Sequence, residues 1–269
     1  MSAQPLWRKF RVLFATQFAS MAEYRAEIII WMFSGTLSLV MMLVWMAQAD
    51  AAPGGQVRGY SPEEFAGYFL SIWVVSQLMV VWVSWEIDYA IRQGQLSPQL
   101  LRPLDPIWPH FIGHVTERFV RALPMFALVF VFTLLTGAKF TTQWWAYPAA
   151  FGLVTLGFTA RFLWEYTLGL LAFWTENTTS FQEVVWLIYA ALGGMLAPLT
   201  FLPDWAQTIA RWTPFPYMLG LPAQLLTGKA TPDQALHGAA ILAGWLVLFW
   251  FVRLWVWRRG LGRYGAVGA

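Results

Sequence analysis

Cysteine is absent from the 269 residues, which excludes disulfides and thiolate chemistry. Charge is scarce too: Asp, Glu, Lys and Arg make up 12% of the chain, where soluble domains carry about 25%. A water-soluble globule does not fit that figure. What is present instead is a 58% hydrophobic composition with 18 tryptophans, the profile of a membrane protein. The length leaves room for about six spans of roughly 20 residues with short loops. It leaves none for a second catalytic domain of ordinary size, so an energy source must come from another chain. The first 25 residues lack a short apolar core ending in a small-residue cleavage site, so no cleaved signal peptide is expected and the first span serves as its own signal. The net charge of +3 is small and unevenly placed, and reads as topology rather than nucleic-acid binding.

The stretch 86–114 interrupts the apolar runs with charges, a Gly-Gln pair and Pro98, Pro103, Pro106 and Pro109. Within it Ile87, Ala90, Ile91, Leu96, Leu100 and Leu101 recur at near-helical spacing. Such spacing gives a short surface segment one apolar side to lay against something.

In chain order, residues 1–25 combine the apolar stripe Leu6, Trp7, Phe10, Leu13, Phe14 and Phe18 with Arg8, Lys9 and Arg11 largely off it. That is the pattern of an interfacial amphipathic helix. A transmembrane domain over 26–257 is expected to follow, with spans near 26–47, 65–85, 115–136, 143–174, 183–196 and 236–257. Ser61-Pro62-Glu63-Glu64 supplies a helix start with cap, proline and first-turn acids. Pro124 predicts a kink. Glu117, Arg118 and Arg121 are expected to snorkel to water. Between 197 and 233 six prolines cut an apolar sequence into pieces; exposed non-helical backbone cannot face hydrocarbon, so short re-entrant outer helices packed on protein are predicted. Residues 258–269 form a basic tail. The fold class is thus all-α, with six transmembrane helices, an N-terminal interfacial helix and re-entrant helices between spans five and six.

Twelve basic residues lie at the two ends and around the stretch 86–114, whereas Arg58, Lys139, Arg211 and Lys229 alone lie on the other side. The excess places both termini and that stretch on the cytoplasmic side, and the membrane is expected to be a bacterial inner membrane. No internal repeat favours an inverted-repeat secondary transporter.

Motifs for chemistry are few. Arg161 and Glu165, four apart inside the fourth span, share a helix face. They form either a polar contact on a substrate path or subunit seam, or an internal ion pair that neutralises two costly charges. His110 and His114 have metalloprotease spacing, but Phe111 stands where the general base belongs. Gly228-Lys229 resembles the end of a phosphate-binding loop, yet Ala223 and Ala230 replace its first glycine and its hydroxyl residue. The chain therefore binds no ATP by that motif.

Three pieces together resemble the permease subunits of type-two ABC exporters: the N-terminal helix running into Ala-Glu-Tyr-Arg-Ala-Glu, the loop Ile-Arg-Gln-Gly-Gln-Leu-Ser-Pro-Gln-Leu-Leu-Arg-Pro-Leu-Asp-Pro, and the segment Ala-Pro-Leu-Thr-Phe-Leu-Pro-Asp-Trp followed by Thr-Pro-Phe-Pro-Tyr. The likeness extends over nearly the whole chain. It implies a half-transporter that is not itself an enzyme, with no cofactor in this chain and ATP and Mg on separate ABC ATPase subunits. It also implies a second permease chain, identical or different, and a coupling helix near 89–101. Coupling would fall to Tyr89, Ile91, Arg92, Leu96, Leu100 and Leu101, with Glu176 in a second cytoplasmic turn. The function expected is export of an amphipathic or hydrophobic substrate by alternating access. The competing readings are an intramembrane lipid-modifying enzyme using Glu165 or Glu176 with His110, and a secondary transporter or channel.

Overall fold

In hydrocarbon every backbone N–H and C=O must find a partner within its own segment, which leaves helices as the natural outcome for apolar runs of this length. A computed structural model describes residues 35–175 and 178–267, with Arg11, Val12, Phe14, Ala15, Thr16, Phe18 and Ile30. Most of the expected interfacial helix over 1–25, and the start of the first span, lie outside these residues. The described chain is helical, and its sole β feature is an isolated bridge between Val57 and Tyr60. Three stretches are long and apolar enough to cross a bilayer, Pro62–Arg92, Ala146–Phe173 and Pro232–Tyr264. A fourth, within Ile107–Thr136, bends by 42° around Pro124. This is the site where the proline removes a backbone donor.

Helix α1 (Leu37–Ala51) and α2 (Pro62–Leu78) pack as neighbours across the turn 52–61. The start of α2 is a full capping box: the Glu64 N–H donates to Ser61 Oγ at 3.3 Å and the Ser61 N–H donates to Glu64 Oε2 at 2.9 Å. Two lysines from distant loops close this end, Lys229 on Glu64 at 2.6 Å and Lys139 on Glu63 at 3.3 Å. The Tyr60 ring lies beneath the Lys229 ammonium, and burial together with the nearby Glu64 carboxylate pushes the phenol pKa up to about 12.

After a break at 79–82 the chain re-enters helix as α3 (Val83–Arg92), followed by the short α4 (Leu96–Leu100) and α5 (Ile107–Thr136). The polar stretch 86–114 is thus mostly helical. Its charged residues Glu86, Asp88, Arg92 and Asp105 are held by side-chain pairing. Helix α6 (Ala146–Leu170) runs through the centre, with α3 and the later helices Gly220–Leu226 and Pro232–Val267 packed on it. Glycine makes the closest of these approaches possible: a Cβ on Gly169 would stand 2.6 Å from the Ser84 carbonyl oxygen of α3.

Helix α7 (Thr179–Leu192) is apolar but too short to cross alone, at roughly 21 Å from a rise of about 1.5 Å per residue. The proline-rich segment then folds as α8 (Asp204–Trp212), α9 (Phe215–Met218) and α10 (Gly220–Leu226). Helix α11 (Pro232–Val267) carries the basic tail as a continuation of helix. It defines the two ends of the molecule, because it begins beside α10 and finishes where Tyr264 meets Ser97 of α4 at 3.0 Å.

Candidate functional site

The end of the molecule built by α3, α4 and the last turns of α11 gathers most of the paired charges. Helix α3 is two-sided. Val83, Ser84, Ile87, Ala90 and Ile91 are buried, while Trp85 and Tyr89 are exposed. In α4, Leu96 is fully buried, whereas Leu100 is partly exposed and Leu101, just past the helix, is 88% exposed. Of the residues expected to couple to an ATPase, Tyr89, Leu100 and Leu101 therefore face outward, and Ile91 and Leu96 face this chain's own core. Glu176 lies outside the described residues.

Arg92 faces a third way. Its guanidinium binds Asp88 in two places, at 2.8 and 3.0 Å, and donates to the Thr175 carbonyl at 2.8 Å. The Thr178 hydroxyl donates to the same Asp88 at 2.8 Å. Bidentate arginine–carboxylate geometry is the stiffest available to a half-exposed pair. It clamps α3 to the turn leading into α7.

A second set of ties runs behind α3. His110 Nδ1 lies 2.7 Å from Glu86 Oε2, and His114 stands 3.6 Å from both Glu86 and Glu117. The last two are ion-pair distances, too long for hydrogen bonds, and the His114 ring nitrogens have no hydrogen-bond partner. Glu117 pairs with Arg121, whose Nη1 also donates to Gln77 Oε1 of α2 at 3.2 Å. Glu117 and Arg121 do not snorkel: their side chains are 9% and 3% exposed, because their i,i+4 face of α5 is packed against α2. Arg118 instead stacks over the Phe158 ring of α6. The imidazoles at metalloprotease spacing are engaged by carboxylates.

A third tie joins the loop after α4 to α11. Arg253, with a side chain 1% exposed, pairs with Asp105 at 2.5 Å, and its guanidinium is surrounded by Tyr166, Trp250 and Trp257 at 5.3 to 5.8 Å. Asp105 also accepts the Ile107 N–H near the start of α5.

The Arg161–Glu165 pair lies elsewhere, where α6 meets α7. It is a 3.7 Å contact with both side chains about 15% exposed, and Arg161 rests 4.3 Å from the centre of the Tyr189 ring. The structure brings neither residue to His110, which has Glu86 as its partner. Sequence reading singled out neither Glu86, Asp88 and Asp105 nor Arg253 as site residues. The i,i+4 spacing of Asp88 with Arg92, and of Glu117 with Arg121, was the available signal; the long-range pairs left none.

A profile of the ABC-2 family transporter proteins matches residues 32–268. The chain belongs to this family. No curated protein matches it. As an ABC-2 family transporter protein it is a multi-pass membrane permease, a transport component rather than an enzyme, and membership implies association with an ABC ATPase. The permease thus carries, at one end, a segment with one buried and one exposed side, tied by charged side-chain pairs to α5 and α11 and by hydrogen bonds to the turn before α7.

Proposed function

We propose that this permease is the membrane half of an ATP-driven exporter of amphipathic or hydrophobic molecules, working by alternating access. It has six spans, with α1 and α7 completed as spans by flanking residues, and both termini in the cytoplasm of a bacterial inner membrane. The helices α8 to α10 dip back into the membrane on the far side. A second permease chain, identical or different, stands beside it, and ATPase subunits holding ATP and Mg dock on α3 and α4.

The observation that supports this most is the two-sided character of α3–α4. Ile87, Ile91 and Leu96 anchor the segment in the permease, while Tyr89, Leu100 and Leu101 stand out from it. A lever must be fixed on one side and free on the other. The hydrogen bonds of Arg92 and Asp88 to Thr175 and Thr178, and the pairs made by Glu86 and Asp105, tie the segment to its neighbours. The Arg161–Glu165 pair has its closest ring contact across a helix seam, which suits a joint between moving helices better than an acid–base site.

The test replaces Leu100 and Leu101 by Asp. Burying a leucine is worth about 1.5 to 3 kcal/mol, so each loss should weaken ATPase docking roughly 10- to 150-fold. Membrane insertion and thermal unfolding of the permease should stay as in the wild type, because both side chains are already exposed. Undiminished co-purification of the ATPase with the doubly substituted permease would refute the docking assignment.

A further inference from the structure

At the opposite end of the molecule from α3 and α4, α8, α9 and α11 enclose an open groove of about 640 Å³. Its mouth is polar. Arg211 of α8 makes no ion pair among the described residues, and its one polar side-chain contact is a marginal 3.5 Å approach to Gln207. The Tyr217 hydroxyl donates to the Arg211 carbonyl at 3.1 Å, and the His237 ring meets the Tyr217 ring edge-on at 6.2 Å. The lining of one groove thus includes a guanidinium, a phenol and an imidazole. The nearest acids in sequence, Asp204 and Asp233, do not line the groove, and no lining residue is acidic.

Beyond the mouth the wall turns apolar along α11, through Ile241, Gly244, Trp245 and Leu248. From His237 to Leu248 the helix rises by roughly 16 Å, about half of a bilayer's ~30 Å hydrocarbon core. The floor is open at Gly244, where an added Cβ would meet nothing within 4 Å. On α8, Trp205 and Trp212 are 69% and 80% exposed, as tryptophans are at the headgroup level of a membrane.

We propose that this groove binds an anionic phospholipid, with its phosphate on Arg211 and His237 and one acyl chain along Ile241, Gly244, Trp245 and Leu248. A cationic mouth fits a phosphate, and the apolar run has the depth of a single leaflet. The groove lining has an arginine and no carboxylate, so it carries a charge partner for a phosphate and none for the ammonium of a zwitterionic headgroup. The site is separate from the ATPase-docking end and stands or falls independently of it.

The test uses the purified, delipidated permease in detergent, with native mass spectrometry reading retention of phosphatidylglycerol against phosphatidylcholine of the same chains. The wild type should retain phosphatidylglycerol roughly tenfold or more in preference, the size of a charge-assisted contact. Arg211→Gln should abolish that preference. Gly244→Leu should block retention of either lipid; leucine has open space there and a better helix propensity than glycine, so thermal unfolding should be unchanged or shifted upward. A photo-crosslinker at position 241 should capture lipid in native membranes. Equal retention of the two lipids by the wild type, wild-type retention in both variants, or crosslinking of position 241 to another protein chain would each overturn the assignment.

Discussion

Removing the carboxylate of Asp105 should cost the permease more than removing the arginine it holds. Arg253 is 1% exposed, so in Asp105→Ala a buried cation loses its counter-charge. Removing one partner of a fully buried pair costs about 3 to 5 kcal/mol. Two features of the site reduce this figure. Asp105 is about a third exposed, so part of its interaction is already screened by water. The rings of Tyr166, Trp250 and Trp257 stay in place and contribute about 0.5 to 2 kcal/mol of cation–π attraction. The loss of the acceptor for the Ile107 N–H adds about 1 kcal/mol. The net expectation for Asp105→Ala is about 2 to 3 kcal/mol.

Arg253→Met removes the buried charge itself, nearly conserves volume, and leaves Asp105 free to hydrate while still accepting from Ile107. Its cost should be about 1 kcal/mol. Once the cation is gone, adding Asp105→Ala should cost only the Ile107 contact, so the double variant falls short of the sum of the two singles. At roughly 2 to 4 °C per kcal/mol, tryptophan-monitored melting in detergent should fall by roughly 4 to 12 °C for Asp105→Ala and by roughly 2 to 4 °C for Arg253→Met. A larger loss from Arg253→Met, or single effects that simply add, would show that the pair is not the buried, ring-supported contact that these magnitudes assume.

Two further substitutions probe how α3 and α5 are seated. Gly169→Leu puts a side chain where even a Cβ would stand 2.6 Å from the Ser84 carbonyl and 3.0 Å from its Cα; it should push α3 off α6 and lower ATPase co-purification while insertion persists, and full ATPase binding would count against α3 being positioned by this contact. Glu117→Gln leaves Arg121 buried with only the amide of Gln77 and a second neutral amide near it, a cost of about 3 kcal/mol or more. The paired replacement Glu117→Leu with Arg121→Leu should melt closer to the wild type, and a paired variant less stable than Glu117→Gln would refute that ordering.

The elements that sequence reveals here are those whose cause is local. The Ser61 capping box and the bend at Pro124 each follow from a residue type acting within a few positions of itself. The interruption at 79–82 is different: Met79, Val80, Val81 and Trp82 include neither proline nor glycine, so no residue type announces it. Without that interruption, a second span ending near Trp85 looks natural. With it, α3 becomes a separate helix whose hydrophobic face belongs to the core and whose other face is exposed.

The candidate site was legible in position but not in wiring. An apolar spacing of Ile87, Ile91 and Leu96 places one side of a short helix, and hydropathy alone says that this side is buried somewhere. It does not say which of the charged residues nearby stay in water. Asp105 and Arg253 are 148 positions apart, and Glu86 meets His110 only because α5 folds back beside α3. The same loss of legibility explains Glu117 and Arg121: at a span end, long charged side chains have water within reach, and the choice between snorkelling and pairing is made by whether a neighbouring helix covers that face. Gln77 of α2 covers it here, at 3.2 Å. The ties that fix α3 and its loop are thus made by three different partners, the turn before α7, α5 and α11, so a push on α3 cannot be absorbed by bending one contact. It must move those partners together or break a pair.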